Sequence, residues 1–386
     1  MKKEISFAID IGSRTTRIIA VEKNQSSLPK VRAISKVDTK GVRHGRIIDR
    51  RKAKESIMTA VSQIEESLGF KIKKIAISSG GIGLRSDIND VEIAVGRPDG
   101  EITEADTRRA LKDAESLALS KNKWILETKI IASKVDGQEI EGSPVGYHGE
   151  NLTIRAISIS SPYKQVEDIA SIIEEIGIKV SSIIPGGVAL SELVLSESQK
   201  QAGSLVLDIG AETTTATVFE NGIPVAVFVF SFGGDDITNE IALKLRVSID
   251  EAEALKTGVP TTISIAKKKY DEIVNGRIEE LFQTVDNFLK KIKRSELLPG
   301  GVHICGGGSF LDGIENVCKN KLRLPAQVGT PQAKEGEKNP VKDPLWFLVY
   351  GVAIEDMKED HDDVSFDDGE NPIKNIFKNI FSQLKP

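Results

Sequence analysis

Cysteine is scarce in this 386-residue chain, which contains only Cys305 and Cys318. Neither cysteine has partners at a zinc-binding spacing, so the sequence supports neither a structural zinc site nor a disulfide framework. Long apolar runs are also missing, because no stretch reaches the roughly 20 residues that a membrane-spanning helix needs. The start, MKKEISFAID, passes directly into a strand pattern, so we expect no signal peptide. A reducing cytoplasm fits these features, and any membrane contact is expected to be peripheral.

Strong net charge is absent too, because the formal charge is only −5 at neutral pH. Residues 355–370 hold nine acidic side chains against the single Lys358, and three lysines lie beyond them. The rest of the chain is therefore close to neutral, and we do not expect nucleic acid as a partner. A chain of this length with ordinary apolar content is expected to form two or more packed lobes.

The clearest pattern is a strand–turn–strand unit that occurs twice. Residues 5–24 read ISFAIDIGSRTTRIIAVEKN, and residues 204–222 read SLVLDIGAETTTATVFENG. In each copy an apolar run ends in Asp-Ile-Gly, small polar residues follow, and a second β-branched run leads to a turn signal. An ordinary turn would explain a single copy, whereas two copies in register predict two β-hairpins with similar polar tips.

The composition of these tips is that of a phosphate site. Glycine lets the backbone approach a ligand, turn N–H groups bind anions, and nearby hydroxyl groups add donors. Asp10 and Asp208 cannot hold phosphate directly because they are negative, but they suit the water shell of Mg²⁺. Residues 302–311, VHICGGGSFL, place a glycine-rich turn after a third strand. This run is weak evidence alone, but it completes a set that predicts two tips facing each other around a metal-bound triphosphate.

These motifs resemble the superfamily of actin, sugar kinases and heat-shock ATPases, and further segments are similar to the bacterial cell-division protein FtsA. The segments are GVRHGRIID at 41–49, IKKIAISSGGIG at 72–83, EITEADTRRALKDAESLA at 101–118, PGGVALSE at 185–192, FGGDDITNEI at 232–241 and IDEAEALK at 249–256. The resemblance covers nearly the whole chain. It implies an α/β, two-lobed actin-like fold in which a ribonuclease H-like unit is duplicated and an FtsA-type subdomain is inserted.

The resemblance also implies the domain boundaries. The first lobe comprises 1–82 with about 163–190 and 345–354, the inserted interaction subdomain spans 83–162, the second lobe comprises 191–231 and 295–344, and its small FtsZ-binding subdomain spans 232–294. Independently of the resemblance, the acidic composition of 355–371, almost without large apolar residues, predicts a disordered linker, and the apolar pattern of 372–386 predicts an amphipathic helix. Within the insertion, the residue pattern predicts strands over Val91–Val95 and Leu152–Ser160 and a helix over Glu104–Leu119.

Carried over by position, the resemblance implies a site for ATP and Mg²⁺. The first phosphate hairpin would consist of Asp10, Gly12, Ser13, Arg14 and Thr15, and the second of Asp208, Gly210, Ala211 and Thr213. Gly234 would lie under the nucleotide, and the ribose and adenine would meet Glu253 and Lys256. The adenosine would be bordered by Gly306, Gly307, Gly308 and Ser309. Asp10 and Asp208 would hold Mg²⁺ through water. For Glu253 and Lys256, an exposed ion pair within one helix is the alternative.

Two positions depart from the family pattern. Ala211 and Glu212 stand where two glycines are common, so we expect the Glu212 side chain to crowd the phosphate or repel it. Arg14 and Thr15 replace a small residue and a lysine, and the Arg14 guanidinium can supply a substitute cation. No residue has the position of a general base, so we expect at most slow hydrolysis and a nucleotide that acts mainly as a conformational ligand. A third function weighed for the same hairpins is that of an enzyme, a sugar kinase or an acid activator.

A long helix is predicted over Lys267–Lys293, with its apolar residues mostly along one face. In FtsA a helix like this meets the C-terminal tail of the tubulin-like FtsZ, and the resemblance puts Arg277 and Glu280 at that contact. The alternative is that both charges solvate an outer face. The resemblance further implies head-to-tail polymers and contacts between the insertion and other division proteins.

The sequence ends in NPIKNIFKNIFSQLKP, which has the pattern of an amphipathic helix. Six apolar residues fall on one face: Ile373, Ile376, Phe377, Ile380, Phe381 and Leu384. Because lysines stand off that face, the pattern predicts an interfacial helix on an anionic membrane, which the resemblance puts on the cytoplasmic side at the division site. Packing on the body or on a partner is the structural alternative. The alternative function is a PilM-like scaffold of a type IV pilus machine, and PilM-like chains lack such a helix.

Overall fold

The computed structural model describes residues 5–24, 28–119, 122–263, 265–332 and 340–358. The predicted membrane-binding residues and most of the predicted acidic linker lie outside this part of the chain. The first lobe opens with β1 (Ile5–Ile11), β2 (Thr15–Glu22), β3 (Lys30–Asp38), β4 (Val42–Arg43), β5 (Arg46–Ile47), α1 (Arg50–Leu68) and β6 (Lys74–Ser79). An inserted unit follows, made of β7 (Arg85–Ala94), α2 (Glu104–Ala118), β8 (Lys123–Val135), β9 (Gln138–Ile140) and β10 (Asn151–Pro162).

The chain then returns to the first lobe and crosses to the second. The returning elements are α3 (Tyr163–Glu175), β11 (Lys179–Pro185), α4 (Gly186–Val194) and α5 (Glu197–Ala202). The second lobe contains β12 (Ser204–Ile209), β13 (Thr214–Glu220), β14 (Ile223–Phe230), α6 (Gly234–Leu245), α7 (Ile249–Thr257), α8 (Lys267–Lys291), β15 (Val302–Cys305), α9 (Ile314–Leu322) and β16 (Ala326–Val328). The final helix, α10 (Phe347–Lys358), packs back on the first lobe against β1 and α4.

The two lobes repeat one sheet topology. The first sheet has the order β11-β6-β1-β2-β3, and the second begins β16-β15-β12-β13-β14. In both sheets the first two strands form an antiparallel hairpin, β1–β2 or β12–β13. The strand on the other side of β1 or β12, which is β6 or β15, runs parallel to it. Asp10 and Asp208 therefore end equivalent central strands. This duplication confirms the predicted two-lobed ribonuclease H-like fold.

Apolar burial explains why these strands and helices pack as they do. In the first lobe, α1 places Ile57, Val61 and Ile64 against the sheet, where Ile9 and Ile18 are fully buried. The middle of the molecule is formed by α4 and α10, whose Leu190, Phe347 and Tyr350 side chains pack in one cluster. Removing this much apolar surface from water is the main term that stabilises both lobes.

The inserted unit extends the second sheet rather than standing apart from it. Its strands have the order β7-β10-β8-β9, and β7 joins the edge of β14 through the pairing of Arg85 with Phe228. The predicted helix and both predicted strands are confirmed as α2, β7 and β10. The long strand β8 was not predicted, because its residues are half-buried almost throughout and show no clear alternation.

The predicted long helix packs in the apolar core of the second lobe. The helix α8 begins at Lys267 as predicted and ends at Lys291, two residues earlier than expected, and Lys293 has a left-handed backbone with φ of 58°. Ile278, Phe282 and Leu289 on its inner face are fully buried, as the apolar pattern indicates.

One boundary is corrected by the structure. Residues 355–358, which the charge pattern assigned to the acidic linker, form the last turn of α10. The reason is local, because Asp356 is only 6% exposed and its carboxylate accepts hydrogen bonds from Ser6, Ser181 and Ser182 at 2.7, 2.8 and 2.7 Å. These bonds compensate a buried charge and fix the end of the helix on the first sheet.

Candidate functional site

The two hairpin tips face one cleft between the lobes. Each tip is closed in the same way, by a bond of 3.1 Å from Gly12 N to Thr15 O and one of 2.8 Å from Gly210 N to Thr213 O. A Cβ atom at Gly12 or Gly210 would lie 3.0 or 3.1 Å from those same carbonyl oxygens, so each turn is tight for any side chain. Both tips line a cavity of about 680 Å³, which we call the cleft.

Asp10 and Asp208 lie in the cleft with little positive charge to balance them. Burial raises the pKa of Asp10, although the Arg17 guanidinium, 3.6 Å away, and the Ser78 hydroxyl oppose this shift. Burial and the negative charge of Asp10 raise the pKa of Asp208 to about 7. Two carboxylates close enough to repel each other are a favourable place for a cation.

The donor set fits a hydrated Mg²⁺ rather than a metal caged by protein. Within the described residues, no group of three or more His, Cys, Asp or Glu side chains is arranged to hold a metal ion. Magnesium keeps several waters and takes only one or two carboxylates plus phosphate oxygens in many sites. Asp10 and Asp208 supply such a pair at the carboxyl ends of two strands.

The glycine-rich turn after β15 lies beside the second hairpin because β15 pairs with β12. Gly306 has φ of 74°, and a Cβ there would lie 2.3 Å from Asp208 Oδ1, so no side chain is possible without moving the aspartate. Gly306, Gly307 and Gly308 all line the cleft. Ser309 does not, because it is buried and its hydroxyl donates to Gly306 O at 2.7 Å, which holds the turn together.

Glu253 and Lys256 are not an exposed helical pair, because their side chains are 24% and 10% exposed and both line the cleft. Lys256 Nζ lies 2.8 Å from Glu253 Oε2 and donates to Thr238 Oγ1 at 2.7 Å and to Gly234 O at 2.9 Å. Burial lowers the pKa of Lys256. The predicted alternative is therefore wrong, and the network ties α7 to the start of α6.

Arg14 forms ion pairs with the opposite lobe, across the cleft. Its guanidinium, on the tip of the first hairpin, contacts Asp235 and Glu253 of the second lobe at 2.5 Å each. The sequence predicted Arg14 as a substitute cation for phosphate, but gave no reason to expect these partners. In this structure the charge of Arg14 is shared between two carboxylates of the opposite lobe.

Glu212, on the tip of the second hairpin, contacts the first lobe. Its carboxylate accepts a bond of 2.6 Å from His44 N and pairs with the Arg43 guanidinium, and its carbonyl oxygen lies 3.1 Å from His44 Nδ1. Ser13 Oγ also takes part, accepting from Gly45 N at 3.2 Å. Glu212 remains part of the lining, but its carboxylate is held by the β4–β5 loop rather than left free to repel an anion.

The remaining predicted tip residues also gather at the cleft. Thr15, Thr213 and Ala211 line it, as does Gly234. The Ala211 carbonyl accepts from Asp235 N at 2.7 Å, which packs the second tip on the start of α6. Other lining residues were not predicted: Arg17, Lys36, Gly186, Gly187, Asp235, Phe310 and Leu345. The strand register could have indicated Arg17, because it pairs directly with Asp10 across the hairpin.

Arg277 and Glu280 lie apart from the cleft, on α8. Arg277 contacts Glu280, lies 3.5 Å from Asp236 and stacks over the Phe232 ring at 4.8 Å from its centroid. Its side chain is 28% exposed and that of Glu280 is 62% exposed. The described helices include none that is long and apolar enough to cross a bilayer.

Two family models match this sequence. The model described as cell division protein FtsA matches residues 205–351, and the model described as the SHS2 domain inserted in FtsA matches residues 81–160. The cell division protein FtsA of Pseudomonas aeruginosa is 25% identical over 92% of this chain and 90% of the relative. That of Bacillus subtilis is also 25% identical, over 90% of this chain and 82% of the relative.

Solved structures agree on the fold. The PilM–PilN type IV pilus biogenesis complex aligns with a TM-score of 0.66 at 16% identity, covering 91% of this chain and 98% of that chain. The MreB5 protein of Spiroplasma citri, bound to ADP, aligns with a TM-score of 0.52 at 14% identity, covering 92% of this chain and 97% of that chain. At these identities the likeness shows an actin-like fold and carries nothing further.

Proposed function

Because this chain belongs to the FtsA family of cell-division proteins, we propose that it is an ATP-binding adaptor that polymerises and tethers FtsZ filaments to the cytoplasmic membrane. The observation that carries the nucleotide part is the convergence of Asp10 and Asp208 on one cleft. The same arrangement favours a phosphate chain bridged by Mg²⁺, which would neutralise both carboxylates. MreB5 of the same fold was solved with ADP and with AMPPNP.

Each part of the cleft would have its own task in holding Mg–ATP. The backbone of the two tips would meet the phosphates, and Asp10 and Asp208 would order the waters of the metal. Glu253 and Lys256 would meet the ribose and base from α7. The bound ion would supply charge neutralisation, and the protein residues bind and orient the ligand.

The nucleotide would act mainly by holding the lobes together. Arg14 and Glu212 already join the lobes in opposite directions, so both tips contact the lobe that does not carry them. A ligand that contacts both tips favours the closed arrangement by its difference in affinity for the closed and open states. Closed chains would then form head-to-tail polymers.

Membrane attachment would come from the residues after the linker. The stripe from Ile373 to Leu384 would bury in the headgroup region, and the adjacent lysines would meet anionic lipid. One short helix gives modest affinity, so lasting attachment would depend on many copies in a polymer. FtsZ would bind on the small subdomain beside Arg277 and Glu280.

The nucleotide proposal is tested by titrating Mg–ATP into the full chain by calorimetry. Asp10→Ala and Asp208→Ala should each weaken binding at least tenfold, because each removes a ligand to the metal waters. Asp113→Ala, at an exposed position on α2, is the matched control and should bind as the parent does. Equal affinity in all four proteins would reject the assignment of the cleft.

The membrane proposal is tested by sedimentation with phosphatidylglycerol vesicles. Phe377→Glu with Phe381→Glu places two charges on the apolar stripe and should abolish sedimentation. Asn375→Glu with Asn379→Glu adds the same charge off the stripe and should reduce binding much less. If both double variants lose binding equally, charge alone explains the effect and the interfacial helix is not supported.

A further inference from the structure

Three exposed lysines lie side by side at one end of the first sheet. Lys74 begins β6, Lys73 precedes it, and Lys179 begins the neighbouring strand β11. Lys179 pairs with Lys74 in the strand register, and Lys179 N donates to Lys73 O at 2.9 Å. Within the described residues, no carboxylate forms an ion pair with any of these three, which we call the lysine cluster. Like charges on paired strands repel each other, so the lysine cluster favours an anionic partner.

Two members of the lysine cluster lie on the face of the sheet that α10 covers. Ser6 on β1 lies on this face, because its hydroxyl donates to Asp356 of α10 at 2.7 Å. The pairing of β1 with β6 puts Ser6 level with Lys74, and Lys179 is level with Lys74 on the other side. Residues that are level on neighbouring strands share a face, so Lys74 and Lys179 lie on the side of α10.

The chain that continues from α10 is strongly acidic. Residues 359–370 read EDHDDVSFDDGE and carry seven acidic side chains and no lysine or arginine. Twelve residues span up to roughly 40 Å when they are extended. Because α10 contacts both β6 and β11, even the first few of these residues can reach the lysine cluster.

This acidic segment can bind the lysine cluster although exposed ion pairs are individually weak. The segment is attached to the body through α10, so each ion pair forms within one molecule at a high effective concentration, and several pairs act together. Its starting point is fixed as well, since the serine hydroxyls that bind Asp356 hold the end of α10 on the sheet. Each pair also reduces the repulsion among the three lysines.

We propose that residues 359–370 dock on the lysine cluster of their own chain and hold the residues that follow beside the first lobe. This interaction surface goes beyond the proposed function and depends neither on nucleotide nor on membrane. Docking would cover three cations that otherwise attract anionic lipid, and it would set the place from which the predicted amphipathic helix leaves the body. A high salt concentration would release the segment.

The test follows a dye attached to this segment in the full chain. Both native cysteines are fully buried, so a maleimide dye reacts selectively at Ser365→Cys. Its fluorescence anisotropy should be high in low salt, because docking restricts the dye, and should fall in 1 M salt, where charges are screened beyond about 3 Å. Lys74→Glu with Lys179→Glu should lower the low-salt anisotropy to the 1 M value. Adding Asp360→Lys with Asp362→Lys to that variant should restore most of the loss, because the charges are then exchanged.

The control is Lys112→Glu with Lys268→Glu, which makes the same change in net charge at exposed sites on α2 and α8 and should leave the anisotropy unchanged. An equal fall in both double variants would assign the effect to net charge and reject the docking site. Exchanged charges that restore nothing would reject it too.

Two other occupants of the lysine cluster give different results. If Lys74→Glu with Lys179→Glu leaves the anisotropy unchanged but abolishes sedimentation with phosphatidylglycerol vesicles, the cluster faces lipid and the proposal is wrong. If the anisotropy of the parent rises with protein concentration, the segment docks on a second copy, which also overturns docking within one chain.

Discussion

Replacing Asp208 with asparagine should make the nucleotide-free protein more stable while removing the function proposed for its cleft. Asparagine keeps the shape of the side chain and removes one of two carboxylates that repel each other. The Arg17 guanidinium lies 3.6 Å from Asp10. The same guanidinium also attracts Asp208, but this effect is smaller than the effects of burial and of the Asp10 charge, which raise the pKa of Asp208. The variant therefore relieves an unfavourable charge that metal-bound nucleotide would otherwise neutralise.

The size of the gain follows from the pKa of Asp208. Burial and the charge of Asp10 raise that pKa from 3.8 to about 7, and each pKa unit corresponds to roughly 1.4 kcal/mol. The ionised carboxylate thus destabilises the fold by at most about 4 kcal/mol at pH 8. Because Asp208 keeps some exposure to water in the cleft, we expect a gain of about 1–3 kcal/mol on substitution.

The gain should depend on pH in one direction. The unfolded chain releases the Asp208 proton near pH 3.8, and the folded chain keeps it until about pH 7. Between these values the folded state binds more protons, so this group lowers the free energy of unfolding as pH rises and has its full effect above pH 7. Asp208→Asn lacks this loss, so its advantage over the parent should widen from pH 5 to pH 8.

Urea unfolding in the presence of EDTA measures this advantage without interference from bound metal. Full-length parent and Asp208→Asn are compared at pH 5 and at pH 8. Asp113→Asn, at an exposed site, serves as the control and should change stability by less than about 0.5 kcal/mol at either pH. The reasoning is refuted if Asp208→Asn is less stable than the parent at pH 8, because the carboxylate would then be favourable in the folded state.

Three further predictions concern contacts away from the aspartates. Glu212→Gln should speed hydrogen exchange of amides in residues 42–47, because the charged acceptor that holds this loop to the second lobe is lost; unchanged exchange would deny the crossing contact. Arg14→Ala should destabilise the metal-free chain by no more than about 1 kcal/mol, because the Arg14 side chain is 44% exposed. The loss of stability should shrink in 1 M salt, and a loss that salt does not change would argue against an ionic contact. Arg277→Glu and Glu280→Lys should each weaken the binding of an FtsZ C-terminal peptide, measured by fluorescence anisotropy. If the two charges act as a pair, the variant that carries both substitutions should recover part of the lost affinity. Full binding in both single variants would exclude this face of α8 as the peptide site.

The hairpins were predictable because the information is local. Asp-Ile-Gly followed by small polar residues specifies a tight turn between strands, and two copies in one chain indicate a duplicated unit. The apolar face of α8 was predictable for the same reason, since its period is visible in the sequence. Local pattern failed for β8, which is half-buried along its length, and for the last turn of α10, where Asp356 is buried by serines far away in sequence.

The partners of Arg14 and Glu212 could not have been read from any local pattern. Arg14 and Glu253 are 239 residues apart, and Glu212 and His44 are 168 residues apart. Such pairs depend on how the two lobes meet, and that arrangement is set by the packing of α4 and α10 between the sheets. The sequence therefore predicted that Glu212 would crowd a phosphate, and the structure shows its carboxylate held by the first lobe instead.

These crossing contacts give the cleft a property that neither hairpin has alone. The residues that would meet phosphate sit on the same turns that hold the lobes together, so a ligand cannot contact the tips without acting on closure. A triphosphate in the cleft would compete with Asp235 and Glu253 for the Arg14 guanidinium. If Arg14 turns toward phosphate, Glu253 keeps Lys256 and Thr238 as partners and loses only the contact that crosses the cleft. The link that Arg14 now makes between the lobes would then have to be replaced by contacts of the nucleotide with both tips, so the proposed closure would depend on the ligand itself.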